Sequence, residues 1–474
     1  MPLMISFILF FVAFGFAVDS AIANTGAAVS PPNIIVILAD DMGYGDMSSN
    51  GHPTIRTPHL DQMAREGQKW TNFYAPASVC SPSRAGLLTG RLPIRAGVAS
   101  LKHSVFFPWS KGGLPLKEIT LAEMLKQQAY QTAMFGKWHL GHLPQFLPTQ
   151  HGFDTWFGIP YSNDMDRDRK AISALNDSSL PIDFPSAYWS KPQPKHFNVP
   201  LMADNQVIER APDQRMLTRT YTDKSLEYIR QYQDKPFFLY LSFSMPHVPL
   251  FRSPAFEGKS TAGLYGDVIE EVDASVGRII AELKSLDISD NTLVVFTSDN
   301  GPWLKYKTLG GSAGLLKEGK STAWEGGMRV PAVFWGPGFV TPGLIHSMGS
   351  SLDFMATFAA LSNAKLPDVS LDSVNLLPVL LGISKKSRDK MFFYLGDQLA
   401  AVRHGAYKAH FLSRPTGQQQ LELNDPPLLF DLNIDPAEQY EIGRHHPDII
   451  SNLSHLRSLQ ITSVKKVENQ LIKR

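Results

Sequence analysis

Apolar and polar residues are segregated into blocks along this chain. Four apolar runs, at residues 33–39 (NIIVILA), 132–135, 236–243 and 293–297, read as strands buried on both faces, because they lack the period-two alternation of a half-exposed strand. Each runs into polar residues that a structural strand does not need: Asp40-Asp41, then Lys137 and His139, then His247, then Asp299-Asn300. Between them, residues 58–66 closed by Gly67, residues 121–128 and residues 266–286 repeat apolar positions at helical spacing. Strands alternating with helices predict an α/β fold. Ligands of open α/β sheets collect at the carboxyl ends of strands, so four polar endings predict one shared site.

After residue 382 the texture changes to short strands and turns (MFFYLG, LAAVRHGAYKAHFL, PLLFDL), followed by an amphipathic helical pattern from Pro447 to the end. This predicts a larger α/β domain at residues 31–382 and a small α+β domain at 383–474, with an antiparallel sheet and a terminal helix. The Pro-rich stretch at 184–200 reads as a long surface loop, and no internal repeat is present. At the N-terminus, residues 5–18 (ISFILFFVAFGFAV) are apolar and precede Ala21-Ile22-Ala23, a small-x-small pattern that predicts a signal peptide over residues 1–23. An uncleaved anchor is the alternative, since no Lys or Arg precedes the run.

With 474 residues, 43% of them hydrophobic, the chain is long enough for a large globular enzyme. Lys+Arg 45 against Asp+Glu 44 leaves a net charge of +1, which excludes a broad basic field for nucleic acid or an anionic membrane. Any anion site must be local. The single cysteine, Cys80, forbids an internal disulfide, which for an exported protein favours the bacterial periplasm or the extracellular space. Two sequons, at Asn176 and Asn452, pull weakly the other way.

Asp40, Asp41, Asp299 and Asn300 offer only oxygen donors, and three carboxylates brought together repel strongly unless a cation sits between them. The donor set suits a hard divalent ion, Ca²⁺ or Mg²⁺, over Zn²⁺. The residues just after Cys80 read as the opening of a helix, with Arg84 one turn from the cysteine, so this helix start forms an anion-binding corner. A soft thiol beside a hard-metal site is mismatched, which predicts that Cys80 does not act as a thiol.

The segment CSPSRAGLLTGR (residues 80–91) resembles the formylglycine signature of the sulfatase family, Cys-x-Pro-x-Arg with a Leu-Thr-Gly-Arg extension. AYQTAMFGKWHLG (residues 129–141) resembles the family's second signature, with Ala129 in place of its opening Gly. NIIVILADDMGYGD, IPYSND, VFTSDNG and GKSTAWEGGMRVPA are similar to the arylsulfatase A subgroup. The resemblance implies an alkaline phosphatase-like fold, a large mixed β-sheet sandwiched by helices with a smaller C-terminal α+β domain. It implies hydrolysis of aryl or carbohydrate sulfate monoesters by a hydrated formylglycine made from Cys80. By the same resemblance Asp40, Asp41, Asp299, Asn300 and the modified residue 80 hold one Ca²⁺, and Arg84 stabilises the hydrate. Lys137, His139, Ser162, His247 and Lys320 fall where the family keeps its other active-site residues. Lys137 and Lys320 would stabilise developing charge, His247 would act as acid, His139 as base, and Ser162 as a substrate contact. Residues 162–170, 184–200 and 303–307 would border the leaving-group pocket. The expected partners are a sulfated small molecule or glycan and a formylglycine-generating maturation enzyme. A phosphatase or phosphonate hydrolase of the same superfamily is the alternative, although the two-metal, His-rich donor set and Ser or Thr nucleophile suited to phosphate are missing. A catalytically inactive carbohydrate-binding protein is the other, should Cys80 never be oxidised.

Overall fold

A computed structural model describes residues 31–167, 187–414, 420–465 and 467–474. The signal-peptide reading, the sequon at Asn176 and parts of two predicted border loops fall outside these residues. The run NIIVILA is β1 (Asn33–Ala39), with every residue buried. Its alternate side chains feed opposite faces: Ile34, Val36 and Leu38 join one apolar cluster, and Ile35, Ile37 and Ala39 join another. The absence of polar alternation in the sequence therefore reflects a strand covered on both sides.

The remaining strands of this sheet are β2 (Gln68–Tyr74), β3 (Gln131–Gly136), β4 (Thr155–Gly158), β5 (Pro200–Ala203) and β6 (Gln206–Arg210). They continue with β7 (Phe237–Ser242), β8 (Thr292–Ser298), β9 (Ala332–Trp335) and β10 (Gly343–Ser350). The ten strands lie in the order β10-β2-β9-β8-β1-β7-β3-β4-β5-β6. Pairing within β8-β1-β7-β3 is parallel throughout, whereas β9, β5 and β6 run antiparallel to their neighbours. The result is a large mixed sheet. Helices Cys80–Thr89, Leu121–Lys126 and Phe354–Ser362 contribute to the cluster on one face, and Pro58–Glu66, Leu217–Tyr232 and Gly263–Ser285 to that on the other. Since the four central strands point the same way, Asp40, Lys137, His247 and Asp299 all emerge at one edge.

A second sheet contains β11 (Lys390–Leu395), β12 (Gln398–His404), β13 (Tyr407–Ser413) and β14 (Glu422–Asp431), all antiparallel. It shares a buried cluster with the large sheet's side of the molecule, where Phe393, Ala401 and Leu429 join Tyr74, Met328 and Leu352.

Two local expectations change. The terminal helix is Pro447–Ser463 and does not reach the end. The chain leaves it, and Leu471 is buried in the main core, with the Gln470 N–H donating to the Gly97 carbonyl at 2.8 Å. The described part of the stretch 184–200, from residue 187, is less of a surface loop than its prolines indicate, for Phe197 and Val199 are fully buried and Pro200 opens β5. A proline at a strand's first residue is compatible with pairing, and the two apolar side chains anchor the segment. Ala129 occupies a left-handed conformation (φ 58) with its side chain exposed. The family's glycine would relieve backbone crowding of about 1 kcal/mol there, so the departure is a local cost that leaves β3 intact.

Candidate active site

Helix Cys80–Thr89 begins on the cysteine: Val79 is extended, and the helix closes on left-handed Gly90. All ten residues are buried, which is why its hydrophobic side is not confined to one stripe. One turn along, the fully buried Arg84 points to the strand ends. Its Nε donates to Asp299 Oδ2 at 2.9 Å, and Nη1 donates to the Lys137 carbonyl and Ser242 Oγ, each at 2.7 Å. Gly136 lets Lys137 turn in. A Cβ there would lie 1.7 Å from the Ser242 carbonyl, the same oxygen that accepts from the Lys137 N–H at 2.8 Å.

The fold brings together every predicted metal and anion group. One donor atom from each of Asp40, Asp41, Cys80 and Asp299 lies within 4.8 Å of the others. Lys137 Nζ sits 2.5 Å from Asp40 Oδ2, and Lys320 Nζ sits 2.6 and 2.7 Å from the two Asp41 oxygens and 3.3 Å from Cys80 Sγ. Asn300 Nδ2 donates to Asp41 Oδ1 at 2.7 Å, while its buried Oδ1 has no hydrogen-bond partner among the described residues. An orphaned amide oxygen beside three carboxylates fits a hard cation. The soft grouping of Asp41, Cys80 and His247 is also compact, but it uses a thiol that burial pushes well above its ordinary pKa, despite Lys137 and Lys320 nearby. A protonated thiol is a poor ligand and a poor nucleophile.

The expectation that the carboxylates repel unless a bound cation sits between them needs revision. Asp40, Asp41 and Asp299 pair directly with Lys137, Lys320 and Arg84, so the protein supplies counterions of its own. Burial pushes the Asp40 carboxyl up, but Lys137 and Arg84 outweigh it and hold the group below the usual range. For Asp299, burial and the Asp40 charge prevail and raise it. Lys320 is held charged against its own burial by Asp41.

Both histidines are present. His247 Nδ1 donates to the Val248 carbonyl at 2.6 Å, which turns Nε2 towards Asp41 Oδ2 at 3.6 Å. Burial and Lys320 lower its pKa. His139 Nε2 donates to the Phe106 carbonyl at 2.9 Å and Nδ1 is left without a partner among the described residues; burial, with Lys137 and Arg84, holds its pKa well down. Neutral imidazoles are suited to accept protons. Ser162 is central: its Oγ lies 3.2 Å from Lys137 Nζ and 3.4 Å from either His247 ring nitrogen.

Two supporting residues escaped sequence reasoning. Ser242 is the last residue of an apolar strand, and nothing in that pattern marks a hydroxyl that accepts from Arg84. Trp303 was legible only as part of a border loop, yet Lys320 Nζ lies 4.4 Å from its ring centroid and the His247 ring 5.3 Å away. Beyond it come Tyr306 and Trp189, at 4.7 and 5.0 Å between successive ring centroids, so the described parts of two predicted border segments do meet.

A family model described as Sulfatase matches residues 32–364, and one for the C-terminal region of aryl-sulfatase matches residues 386–474. Arylsulfatase A of Bos taurus is 43% identical over 443 residues, 89% of this chain and 85% of that protein. N-acetylgalactosamine-6-sulfatase of Mus musculus is 38% identical over 466 residues, covering 90% and 85%. The crystal structure of PsFucS1 sulfatase from Pseudoalteromonas sp. superimposes with a TM-score of 0.81 at 27% identity, covering 93% of this chain and 91% of that one. Matches of this extent show that the chain belongs to the sulfatase family and is a sulfuric ester hydrolase.

Proposed function

We propose that the protein hydrolyses aryl or carbohydrate sulfate monoesters through a formylglycine formed from Cys80, with one Ca²⁺ held by Asp40, Asp41, Asp299, Asn300 and residue 80. The observation that carries this reading is the position of Cys80, 3.3 Å from Lys320 Nζ and within a ring of oxygen donors, where a buried thiol itself has no evident use. A maturation enzyme, using an external two-electron oxidant, would oxidise its Cβ to the aldehyde level, an oxygen replacing the sulfur, which leaves as sulfide. The hydrated aldehyde then supplies an oxygen nucleophile and a second hydroxyl on the same carbon. Ca²⁺, when bound, supplies positive charge to the sulfate oxygens.

The chain's own groups do the rest. Arg84, locked by Asp299 and Ser242, cannot swing away and presents fixed positive charge to residue 80. Lys137 and Lys320 are poised to exchange part of their carboxylate pairing for the oxygens that gain charge as the ester bond breaks. His247 delivers a proton to the departing oxygen; the negative sulfate beside it favours the imidazolium that its burial and Lys320 oppose. His139, with Nδ1 unpartnered among the described residues, takes the proton from the second hydroxyl. Ser162 positions substrate between Lys137 and His247. Two domains at 31–382 and 383–474 and export to the periplasm or extracellular space complete the reading.

Lys137→Ala and Lys320→Ala should each lower kcat by about 10²–10³-fold, the cost of one preorganised charge-stabilising donor. Unchanged turnover in both would remove them from the site. The reading as a whole is tested by kcat/KM for paired aryl sulfate and aryl phosphate on one preparation. A phosphate monoester is largely a dianion at neutral pH, with its second pKa at about 6, whereas a sulfate monoester carries one charge. Extra ground-state binding of the dianion does not lower its barrier, so sulfate should turn over faster and phosphate should inhibit. Equal or higher values for phosphate would favour a phosphatase.

A further inference from the structure

Lys320 sits on a loop whose backbone is unusually constrained. Glu318 and Ser321 on either side of it have left-handed φ values of 60 and 73. The Lys320 N–H donates to the Pro302 carbonyl and the Ser321 N–H to the Ser78 carbonyl, each at 2.9 Å, tying the loop to the chain just beyond Asn300 and just before Cys80. The loop closes on itself where the Gly326 N–H meets the Lys317 carbonyl at 2.8 Å. Non-glycine residues held at positive φ persist only where their surroundings enforce them.

The enforcement comes from the other sheet's side of the molecule, and it converges on Glu438. This residue, beyond β14, is fully buried and itself left-handed (φ 50). Its carbonyl accepts from Lys317 Nζ at 3.1 Å and its Oε2 from the Glu325 N–H at 2.7 Å, so it grips both arms of the loop. Its Oε1 accepts from His410 Nε2 at 2.6 Å and pairs with Lys408 Nζ at 3.1 Å. Lys408 also pairs with Glu325 Oε1 at 2.8 Å. Ring contacts run in parallel: the Lys317 ammonium lies 3.9 Å from the Trp324 ring centroid, and Trp324 stacks on His410 at 4.0 Å. None of these groups touches Asp40, Asp41, Asp299 or Asn300, and the mechanism does not use them.

We propose that Glu438 is a positioning residue for Lys320, so that the C-terminal sheet holds an active-site charge in place through the loop 317–326. The inference rests on Lys320 acting on the transition state, as set out above. Both carboxylate oxygens of Glu438 face only donors, so Glu438→Gln keeps the volume but sets an amide N–H₂ against a donor in either orientation. The loop then relaxes. Misplacement of a catalytic group by about 1 Å costs on the order of 10²-fold, so kcat should fall by about 10–100-fold while KM shifts by less than about threefold.

The deciding measurement is a double-mutant cycle on full-length protein, with aryl sulfate as substrate and with aldehyde content at residue 80 and Tm recorded for each variant. In the Lys320→Ala background Glu438→Gln should cost less than about threefold, because the group it positions is gone. A loss in the wild-type background at least about threefold larger than in Lys320→Ala supports positioning, and any smaller difference overturns it. If Glu438→Gln does not fold, Lys317→Met decides by the same criterion, since it takes the ammonium away from the Glu438 carbonyl and the Trp324 ring while leaving Glu438 and its other partners in place. A Lys320→Ala single variant with full turnover would sink the role of Lys320, and this proposal with it, while wild-type sulfate ester hydrolysis would stand.

Discussion

Asp299→Ala is expected to abolish turnover, with kcat/KM falling by at least about 10³-fold, and to abolish ion binding at the proposed Ca²⁺ site. Two separate contributions are lost together. Asp299 donates an oxygen to the proposed Ca²⁺ site, and its Oδ2 is the partner of both Arg84 Nε and Nη2 at 2.9 Å. Truncation leaves a fully buried guanidinium whose one remaining ion pair among the described residues is the 3.5 Å contact to Asp40. Breaking a buried pair in this way costs about 3–5 kcal/mol, so Tm should fall as well. Asp299→Asn separates the two effects: it keeps the volume and an acceptor for Arg84, yet removes the charge that holds the ion. Elemental analysis of active wild-type protein should find about one Ca²⁺ per chain, and neither variant should retain it. Because Lys137, Lys320 and Arg84 already neutralise the carboxylates, removal of the ion from wild-type protein should leave it folded but inactive. Active protein that contains no Ca²⁺ or Mg²⁺, or contains stoichiometric Zn²⁺, would falsify the assignment.

Cys80→Ala and Cys80→Ser should each reduce turnover by about 10⁴-fold or more while leaving Tm nearly unchanged. The side chain is small and 1% exposed, so neither change opens a large cavity. Serine is the sharper test, because it places one hydroxyl where the hydrate would present two and so lacks the group that releases sulfate. In the wild-type protein, a carbonyl-reactive probe should label residue 80, and the mass of its peptide should be that of the aldehyde. Fully active protein carrying only an unmodified thiol there would overturn the mechanism, and a serine variant with wild-type rates would do the same.

How much of this was legible beforehand varies with the range of the forces involved. β1 and the helix Pro58–Glu66 were readable to the residue, because an apolar run and a proline-to-glycine helical block are local signals. The helix Gly263–Ser285 starts three residues earlier than its periodicity indicates and ends one sooner. The terminal helix stops short because Leu471 gains more by burial in a distant core than by one more helical turn. The strand-end residues could be listed together from sequence because parallel strands put their carboxyl ends on one edge, a rule of topology that needs no coordinates.

Sequence by itself therefore determined the chemistry: which donors exist, that they are hard oxygens and fixed cations, and that Cys80 opens a helix one turn before Arg84. Only the tertiary structure decided who pairs with whom. The order β8-β1-β7-β3 places Lys137 near Asp40, the helix Cys80–Thr89 packed on that sheet places Arg84 against Asp299, and the segment after β14 places Glu438 against the loop of Lys320. The physical reason is separation along the chain. Helical and strand periodicities arise from contacts within a few residues, but Asp41 and Lys320 are 279 positions apart, and no local pattern encodes their meeting.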